Sequence, residues 1–219
     1  MNRLPLLLCF MIFATPQLPA VTANKAADAP EPPCCREGLP PGKFSDKSLY
    51  SLDSMWTADV GKEVSLAALR GRPQVIALFF TNCQHSCPLI VRDMKAIEKA
   101  LPINARDKVD FLLVSIDPQR DTPEALRAFR GKYRLPVEHW SLLRGSPGDV
   151  KKLADMVGFN YYPGANADSS QQFAHSLLIT VLNPAGEILY QQAGIGNPTD
   201  EAVAALLRLV APKGQRLGR

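Results

Sequence analysis

The sequence is poor in the residues that usually carry redox and metal chemistry. It has 5 cysteines and 3 histidines among 219 residues. So few cysteines exclude a small scaffold held together by disulfides, and a chain of this length with 46% hydrophobic residues can bury a core of its own. The cysteines are therefore better explained by a chemical role than by a need for stabilising disulfides, although a structural disulfide is the simpler alternative.

The sequence also lacks a strong charge of either sign. The net charge is +4, and the basic residues are spread thinly apart from a short cluster in residues 213–219. It contains no basic stripe typical of nucleic-acid binding and no polybasic helix typical of a membrane surface. We therefore expect no nucleic acid among its partners. No internal repeat is present.

Long hydrophobic runs are missing except near the start. Residues 4–13 form an apolar run after Arg3, which is shorter than the about 20 residues of a transmembrane helix. With the small residues that follow, this pattern predicts a signal peptide over residues 1–23. We expect an exported protein, which is periplasmic after cleavage or, if uncleaved, tethered to the inner membrane and facing the periplasm. Cys9 would be lost with the signal.

Composition divides the remaining chain into three parts. Residues 24–47 are rich in Ala, Pro and Gly and have no apolar period, which predicts a flexible arm. This Pro-rich arm carries the adjacent pair Cys34-Cys35. Residues 48–211 are the predicted folded domain, and residues 212–219 are a basic C-terminal tail.

Strand and helix patterns alternate along the domain. The predicted elements are a hairpin at 51–59 and 63–66, strands at 74–80, 109–116 and 138–143, helices at 89–100, 123–132 and from 147, an irregular loop at 159–172, a hairpin at 176–182 and 187–192, and a helix at 199–210. Parallel strands with crossover helices, closed by an antiparallel hairpin, predict an α/β fold. We expect a thioredoxin-like sandwich, with a central mixed sheet flanked by helices and an N-terminal hairpin extension.

Two cysteines follow the first central strand. Residues 81–88 read TNCQHSCP, which places Cys83 and Cys87 before a helix, with Pro88 at its first position and Cys87 as its N-cap. The positive end of a helix favours the thiolate, which attacks disulfides and binds soft metals such as Cu(I). The C-x-x-x-C spacing is one residue longer than the redox motif C-x-x-C, so both sulfurs can face one point. We predict redox-active thiols that can form a disulfide or bind copper.

Three histidines are candidates for a third ligand. His85 lies between the cysteines on a presumed exposed turn, where it could tune the thiol pKa or act as a minor ligand. His139 precedes Trp140 in a presumed strand away from the cysteines and is better explained by packing. His175 ends a long loop and begins a strand, and site residues collect at such loop ends. Because a single loop histidine is more often inert, the pattern alone leaves the third ligand open.

Longer stretches resemble the Sco/SenC family of copper-binding, thioredoxin-fold assembly factors for cytochrome c oxidase. Besides TNCQHSCP, residues 114–126 (VSIDPQRDTPEAL) are similar to the family's loop before its second helix, and residues 181–190 (VLNPAGEILY) resemble its hairpin. His175 follows Cys87 by 88 residues (175 minus 87), about where the family places its ligand histidine. The resemblance covers about residues 48–211.

The resemblance implies a function for the chain. Cys83, Cys87 and His175 would be the copper ligands. The protein would be an exported chaperone that delivers copper to the dinuclear copper site of cytochrome c oxidase, or keeps the cysteines of that site reduced. The implied partners are the copper-site subunit of the oxidase or another copper protein, and a thiol reductant.

Other functions stay open beside the chaperone. The same dithiol could serve a thiol–disulfide oxidoreductase acting on exported proteins, or a redox-sensing or interaction domain with an inert disulfide. Thioredoxin-type reductases have a proline before the strand beside the dithiol, whereas Ala174 precedes His175 here, which favours a metal site. The family often has an acidic residue in place of Ala174. The pair Cys34-Cys35 is either an accessory pair that passes copper or electrons to the main site, or a pair of loose surface thiols.

Overall fold

The computed structural model describes residues 30–36, 43–163 and 173–211. The predicted signal peptide with Cys9, parts of the predicted arm, and the basic tail lie outside these ranges. Among the described residues, none of the helices combines the length and the apolar character that a membrane span requires.

The elements alternate along the chain as the sequence predicts. The strands are β1 (Met55–Ala58), β2 (Glu63–Ser65), β3 (Gln74–Phe79), β4 (Asp110–Ser115), β5 (Trp140–Arg144), β6 (Tyr161–Pro163), β7 (Phe173–His175), β8 (Leu178–Leu182) and β9 (Ile188–Ala193). The helices are α1 (Ser86–Ala100), α2 (Ile103–Arg106), α3 (Pro123–Tyr133), α4 (Pro147–Val157) and α5 (Asp200–Val210), with 3₁₀ turns at Pro33–Cys35, Leu49–Ser51 and Leu66–Leu69.

One mixed sheet organises the fold. Its strand order is β2-β1-β5-β4-β3-β8-β9, and β6 and β7 form a separate two-stranded sheet. The strands β3, β4 and β5 are parallel, with Ile76, Leu112 and Ser141 in one row, whereas β1 and β8 join them antiparallel. This architecture confirms the predicted α/β, thioredoxin-like class with a central mixed sheet.

The centre of the sheet is buried on both faces. Every residue of β3 and β4 is buried, because both strands have neighbours on each side and helices above them. On one face Phe79 of β3 contacts Phe129 of α3, with ring centroids 4.7 Å apart. Trp140 of β5 donates a hydrogen bond of 3.2 Å to Glu98 of α1. The continuous apolar runs of the sequence therefore correspond to strands covered by helices.

The N-terminal hairpin extends the sheet beyond β5. Trp56 of β1 pairs with Val64 of β2, and Ala58 pairs with Leu143 of β5. The first strand is shorter than predicted because Leu49–Ser51 forms a 3₁₀ turn, which the hydroxyl of Ser48 caps by accepting from the amide of Tyr50.

The segment before β8 differs from the predicted irregular loop. Its described ends form β6 and β7, in which Tyr161 pairs with His175 and Pro163 pairs with Phe173; residues 164–172 lie outside the described ranges. Each strand has three residues, too few for a visible apolar alternation. His175 thus ends a strand of its own instead of starting β8.

Candidate metal centre

Both cysteines of the C-x-x-x-C motif lie where β3 ends and α1 begins. Cys83 is in the connecting loop and Cys87 in the first turn of α1. Their exposed fractions are 7% and 1%. Gln84 and His85, between them, are exposed, so the two sulfurs lie just beneath the surface.

The helix begins earlier than the sequence predicts. It starts at Ser86, and its N-cap residue is His85, whose side chain makes no capping hydrogen bond. The prediction of Cys87 as the N-cap is therefore wrong. The reason is that proline is tolerated within the first turn, where amides have no intrahelical acceptor, so Pro88 does not fix the helix start. The amide of Cys87 instead donates to Cys83 Sγ across 3.3 Å. The sulfur thereby takes the place of a capping oxygen.

His175 reaches the two sulfurs from the end of β7. The ligand atoms of Cys83, Cys87 and His175 all lie within 4.8 Å of one another. His175 Nδ1 lies 2.8 Å from the carbonyl oxygen of Ser176. Because a carbonyl can only accept, Nδ1 carries the proton, and the neutral ring keeps a lone pair on Nε2. One nitrogen and two sulfurs therefore converge on one point.

Two aromatic rings fix the orientation of the imidazole. Phe159 stacks on His175 at 5.9 Å between centroids with 22° between the planes, and Phe80 approaches edge-on at 5.8 Å. With the hydrogen bond to Ser176, these contacts restrict both rotation and tilt of the ring. Such support would hold the ring in a geometry suited to binding a metal.

The two thiols have opposite protonation tendencies. The contact with the Cys87 thiol lowers the pKa of Cys83 most, although burial opposes this shift. A hydrogen bond that His175 can donate when its ring is protonated, and hydrogen bonds from Ser86 and the Cys87 amide, lower this pKa further. The same contact with Cys83, together with burial, raises the pKa of Cys87. For His175, burial alone would lower the pKa, but the Cys83 and Ser176 contacts outweigh it and raise the pKa. The pair is thus best described as a Cys83 thiolate beside a Cys87 thiol.

Sequence reasoning missed Ser86, which lies between the predicted ligands. Its hydroxyl is 3.5 Å from Cys83 Sγ and 3.2 Å from His175 Nε2. It has one proton and can donate to one of these two acceptors at a time, and it lies between the sulfur and the imidazole. Its position inside the motif was the available signal.

Sequence reasoning also missed the role of Asp121, although the DPQRDTP stretch contains it. This carboxylate is fully buried and accepts hydrogen bonds from the amide and the hydroxyl of Thr81 and from the hydroxyl of Ser115. Burial, the largest cause, raises the pKa of Asp121 despite these bonds. Because Thr81 is the first residue of the TNCQHSCP segment, Asp121 fixes the start of the loop that carries the thiols.

The other two histidines lie outside the cluster. His85 is exposed on the loop, and His139 lies in the turn before β5, with Nε2 3.7 Å from a carboxylate oxygen of Asp107. Over the described ranges, Cys83, Cys87 and His175 form the one group of three His, Cys, Asp or Glu residues that could hold a metal ion. The structure thus brings together the three residues that the resemblance implies.

The pair Cys34-Cys35 is not on a loose segment. Cys34 is 1% exposed, and its amide donates a hydrogen bond of 3.0 Å to Ser141 Oγ of β5. The neighbouring Pro33 is also buried. For this part of the predicted arm, the expectation of flexible surface thiols is wrong, because proline stiffness and apolar burial hold the 3₁₀ turn against the sheet.

Comparison with known proteins places this site in a family. The family model described as SCO1/SenC matches residues 50–211. The SCO1 protein homolog of Bacillus subtilis (strain 168) is 29% identical over 146 residues, which are 66% of this chain and 74% of that protein.

Solved structures give the same answer. A SCO1/SenC family lipoprotein from Bacillus anthracis str. Ames is 27% identical with a TM-score of 0.64, over 74% of this chain and 95% of that chain. Bradyrhizobium japonicum ScoI with copper bound is 25% identical with a TM-score of 0.59, over 71% of this chain and 96% of that chain. The residues that the family model matches contain Cys83, Cys87 and His175, and the chain belongs to the SCO1/SenC family.

Proposed function

We propose that this protein is an exported copper chaperone that carries Cu(I) as cargo on Cys83, Cys87 and His175 and delivers it to the dinuclear copper site of cytochrome c oxidase. The observation that carries the proposal is the convergence of two sulfurs and one imidazole nitrogen within 4.8 Å. Thiolate sulfur selects Cu(I), and imidazole is a suitable third donor. The residues present therefore fit the cargo.

The state of the donors supports binding that can be reversed. Cys83 is the thiolate of the pair, whereas Cys87 must lose a proton on binding, so loading releases a proton. The exposed Gln84 and His85 flank the sulfurs, so a partner's ligand has a short path to the cargo. A shallow site with few ligands suits a protein that must give its metal away.

The comparisons support the cargo and the recipient. The copper in Bradyrhizobium japonicum ScoI is a property of that protein, and by resemblance we extend it to this chain. The oxidase as recipient follows from the same family resemblance. Export rests on the predicted signal peptide over residues 1–23, which the described ranges do not include.

The thiol asymmetry favours a second candidate function, the reduction of a partner's disulfide. The Cys83 thiolate would attack the partner's disulfide, forming a mixed disulfide and releasing one partner thiolate. Cys87, after losing its proton, would attack Cys83 Sγ, release the second partner thiolate and leave a Cys83–Cys87 disulfide. The protein's dithiol loses two electrons and the partner's disulfide gains them. Such a step would keep the oxidase cysteines ready for copper.

Copper loading of the reduced protein tests the first proposal. We expect near-equimolar Cu(I) on the wild type and little on a Cys83→Ser/Cys87→Ser variant. A Cys34→Ser/Cys35→Ser variant is the matched control, since it removes as many thiols and should load normally. Transfer is then followed optically with the soluble copper domain of an oxidase subunit. Undiminished loading of Cys83→Ser/Cys87→Ser would exclude the site.

A further inference from the structure

A second pair of thiols lies apart from the candidate metal centre. The Sγ atoms of the adjacent residues Cys34 and Cys35 are 3.4 Å apart, in contact but not bonded. The amide of Cys35 donates to the carbonyl of Pro32 and closes the 3₁₀ turn that carries the pair. The sheet holds this turn through the amide of Cys34, which donates to Ser141 Oγ, and through the ion pair of Arg36 with Asp110. Two thiols are therefore held in contact by a fixed backbone.

The two thiols differ in exposure and in environment. Cys34 is buried, whereas Cys35 is partly exposed. The contact with Cys34, followed in importance by the charge of Lys62, lowers the pKa of Cys35 despite partial burial. Lys62 is itself held in place by an ion pair with Glu31. One accessible sulfur with thiolate character thus lies against one shielded thiol.

The pair cannot react with the candidate metal centre inside one folded molecule. Cys34 is bound to Ser141, which shares a sheet row with Ile76 of β3, whereas Cys83 lies beyond Phe79 at the carboxyl end of the same strand. Two strand spacings across and at least three residue rises along the sheet separate them by roughly 15 Å. At this separation the two pairs are not in contact, so passage of copper or electrons to the main site, one of the two alternatives for Cys34-Cys35, would need another conformation or a carrier.

Metal binding explains the pair less well than redox chemistry. Over the described residues, no His, Asp or Glu joins the two sulfurs in a group of three ligands. A bond between adjacent cysteines is also unlike a structural disulfide. Their Cα atoms are about 3.8 Å apart across a trans peptide, below the usual 4.4–6.8 Å range, and such strain makes a disulfide easier to reduce. The pair is therefore suited to a disulfide that forms and is reduced again, and not to a permanent one.

We propose that Cys34 and Cys35 form a second redox site, a vicinal dithiol that reacts with low-molecular-weight disulfides independently of Cys83 and Cys87. Cys35 Sγ attacks the small disulfide, so that a mixed disulfide forms and one small thiolate leaves. Cys34 then loses its proton to solvent and attacks Cys35 Sγ, which releases the second small thiolate and closes the Cys34–Cys35 bond. The dithiol gives up two electrons and two protons, and the small disulfide becomes two thiols.

Oxidised glutathione is the probe for this site. The full chain is used with Cys9→Ser, Cys83→Ser and Cys87→Ser, so that Cys34 and Cys35 are its remaining thiols and the metal centre has no part in the outcome. After acid quenching and alkylation, trypsin releases residues 26–36, which contain both cysteines. We expect this peptide to be lighter by two hydrogen atoms and unalkylated, and to return to the dithiol after mild reduction.

Single substitutions in the same background test the order of attack. With Cys34→Ser, Cys35 should accumulate a stable mixed disulfide with glutathione. With Cys35→Ser, Cys34 should react at least tenfold more slowly while folded and readily in denaturant; Cys35→Ala is a second variant in case Cys35→Ser lowers folded content by circular dichroism. A dithiol that stays reduced at glutathione concentrations that oxidise Cys83 and Cys87 in the wild type would overturn the proposal. Equal reactivity of the two single variants would overturn it too.

Discussion

The amide of Cys87 donates a hydrogen bond to the sulfur of Cys83 across 3.3 Å. The sulfur of Cys83 therefore accepts a hydrogen bond from the first turn of the helix that carries Cys87. A chemical change at either sulfur should alter the start of the helix, because the amide of Cys87 has no intrahelical acceptor and depends on this bond. Copper binding at these sulfurs, as proposed, and disulfide formation would both alter the start of this helix.

Redox state should gate copper binding. A Cys83–Cys87 disulfide removes both thiolates, so the oxidised protein should bind little Cu(I), and reduction should restore near-equimolar binding. The measurement is copper per protein before and after reduction, made on a Cys34→Ser/Cys35→Ser variant so that the second pair does not contribute. Equal copper binding in both states would contradict the assignment of the sulfurs as ligands.

Replacing Ser86 with Ala should change the thiol more than the metal site. The variant loses a hydroxyl that lies 3.5 Å from Cys83 Sγ and helps lower the pKa of that thiol. We expect the pH profile of Cys83 alkylation to move to higher pH, while copper affinity falls by less than tenfold because no donor is lost. Gln84→Ala, an exposed change in the same loop, is the control. An unchanged profile would show that Ser86 does not stabilise the thiolate.

Removing the Asp121 carboxylate should loosen the loop before the thiols. Asp121→Ala leaves the amide of Thr81 and the hydroxyls of Thr81 and Ser115 without their acceptor. A buried donor without a partner costs about 1–3 kcal/mol, so urea unfolding should show a loss of at least that size. Asp155→Asn, at an exposed ion pair, should cost under about 1 kcal/mol. Equal losses in the two variants would refute the role of Asp121.

The contribution of Asp121 to the free energy of unfolding should depend on pH, because its carboxyl group titrates. Burial raises the pKa of Asp121 above its usual value, so the native state holds the proton more tightly than the unfolded chain. The stabilisation due to this proton is complete below the unfolded pKa of about 3.9 and is lost as pH rises through the folded pKa. The wild type should therefore lose stability relative to Asp121→Asn as pH rises through this window. A wild type that gains stability relative to Asp121→Asn as pH rises would contradict this prediction.

Most of the fold follows from the sequence because its strands are long and apolar. The runs at β3 and β4 are buried on both faces, and the Thr-Pro and Ser-Pro pairs start α3 and α4 where predicted, with Thr122 and Ser146 as their caps. The start of β1 is displaced by four residues (55 minus 51), and the other predicted strand ends by one or two at most, because fraying and local turns decide them. Short elements were missed: α2 has four residues and β6 and β7 have three each, too few to show a period.

The candidate site was predictable in its residues but not in its supports. Motif spacing and the family resemblance pointed to Cys83, Cys87 and His175. The choice was narrow because the chain has only 5 cysteines and 3 histidines. The contacts that position them depend on tertiary structure. Nothing in the order of residues shows that Phe159 stacks on His175 or that Cys34 is buried beside β5. The proline-rich composition of the predicted arm favours a flexible segment, whereas the structure packs the part around Cys34 against the sheet.

The most direct test of the account is a His175→Ala variant measured for two activities on one preparation. Its Cu(I) affinity, obtained by competition with a chromophoric chelator, should fall by more than tenfold, about 1.4 kcal/mol. Its Cys83–Cys87 exchange with a small disulfide should persist, because exchange needs only an attacking thiolate and a leaving sulfur. His85→Ala, the exposed histidine of the motif, should leave both unchanged. Affinity within about threefold of wild type, under ~0.7 kcal/mol, with exchange abolished, would contradict the chaperone and favour the oxidoreductase.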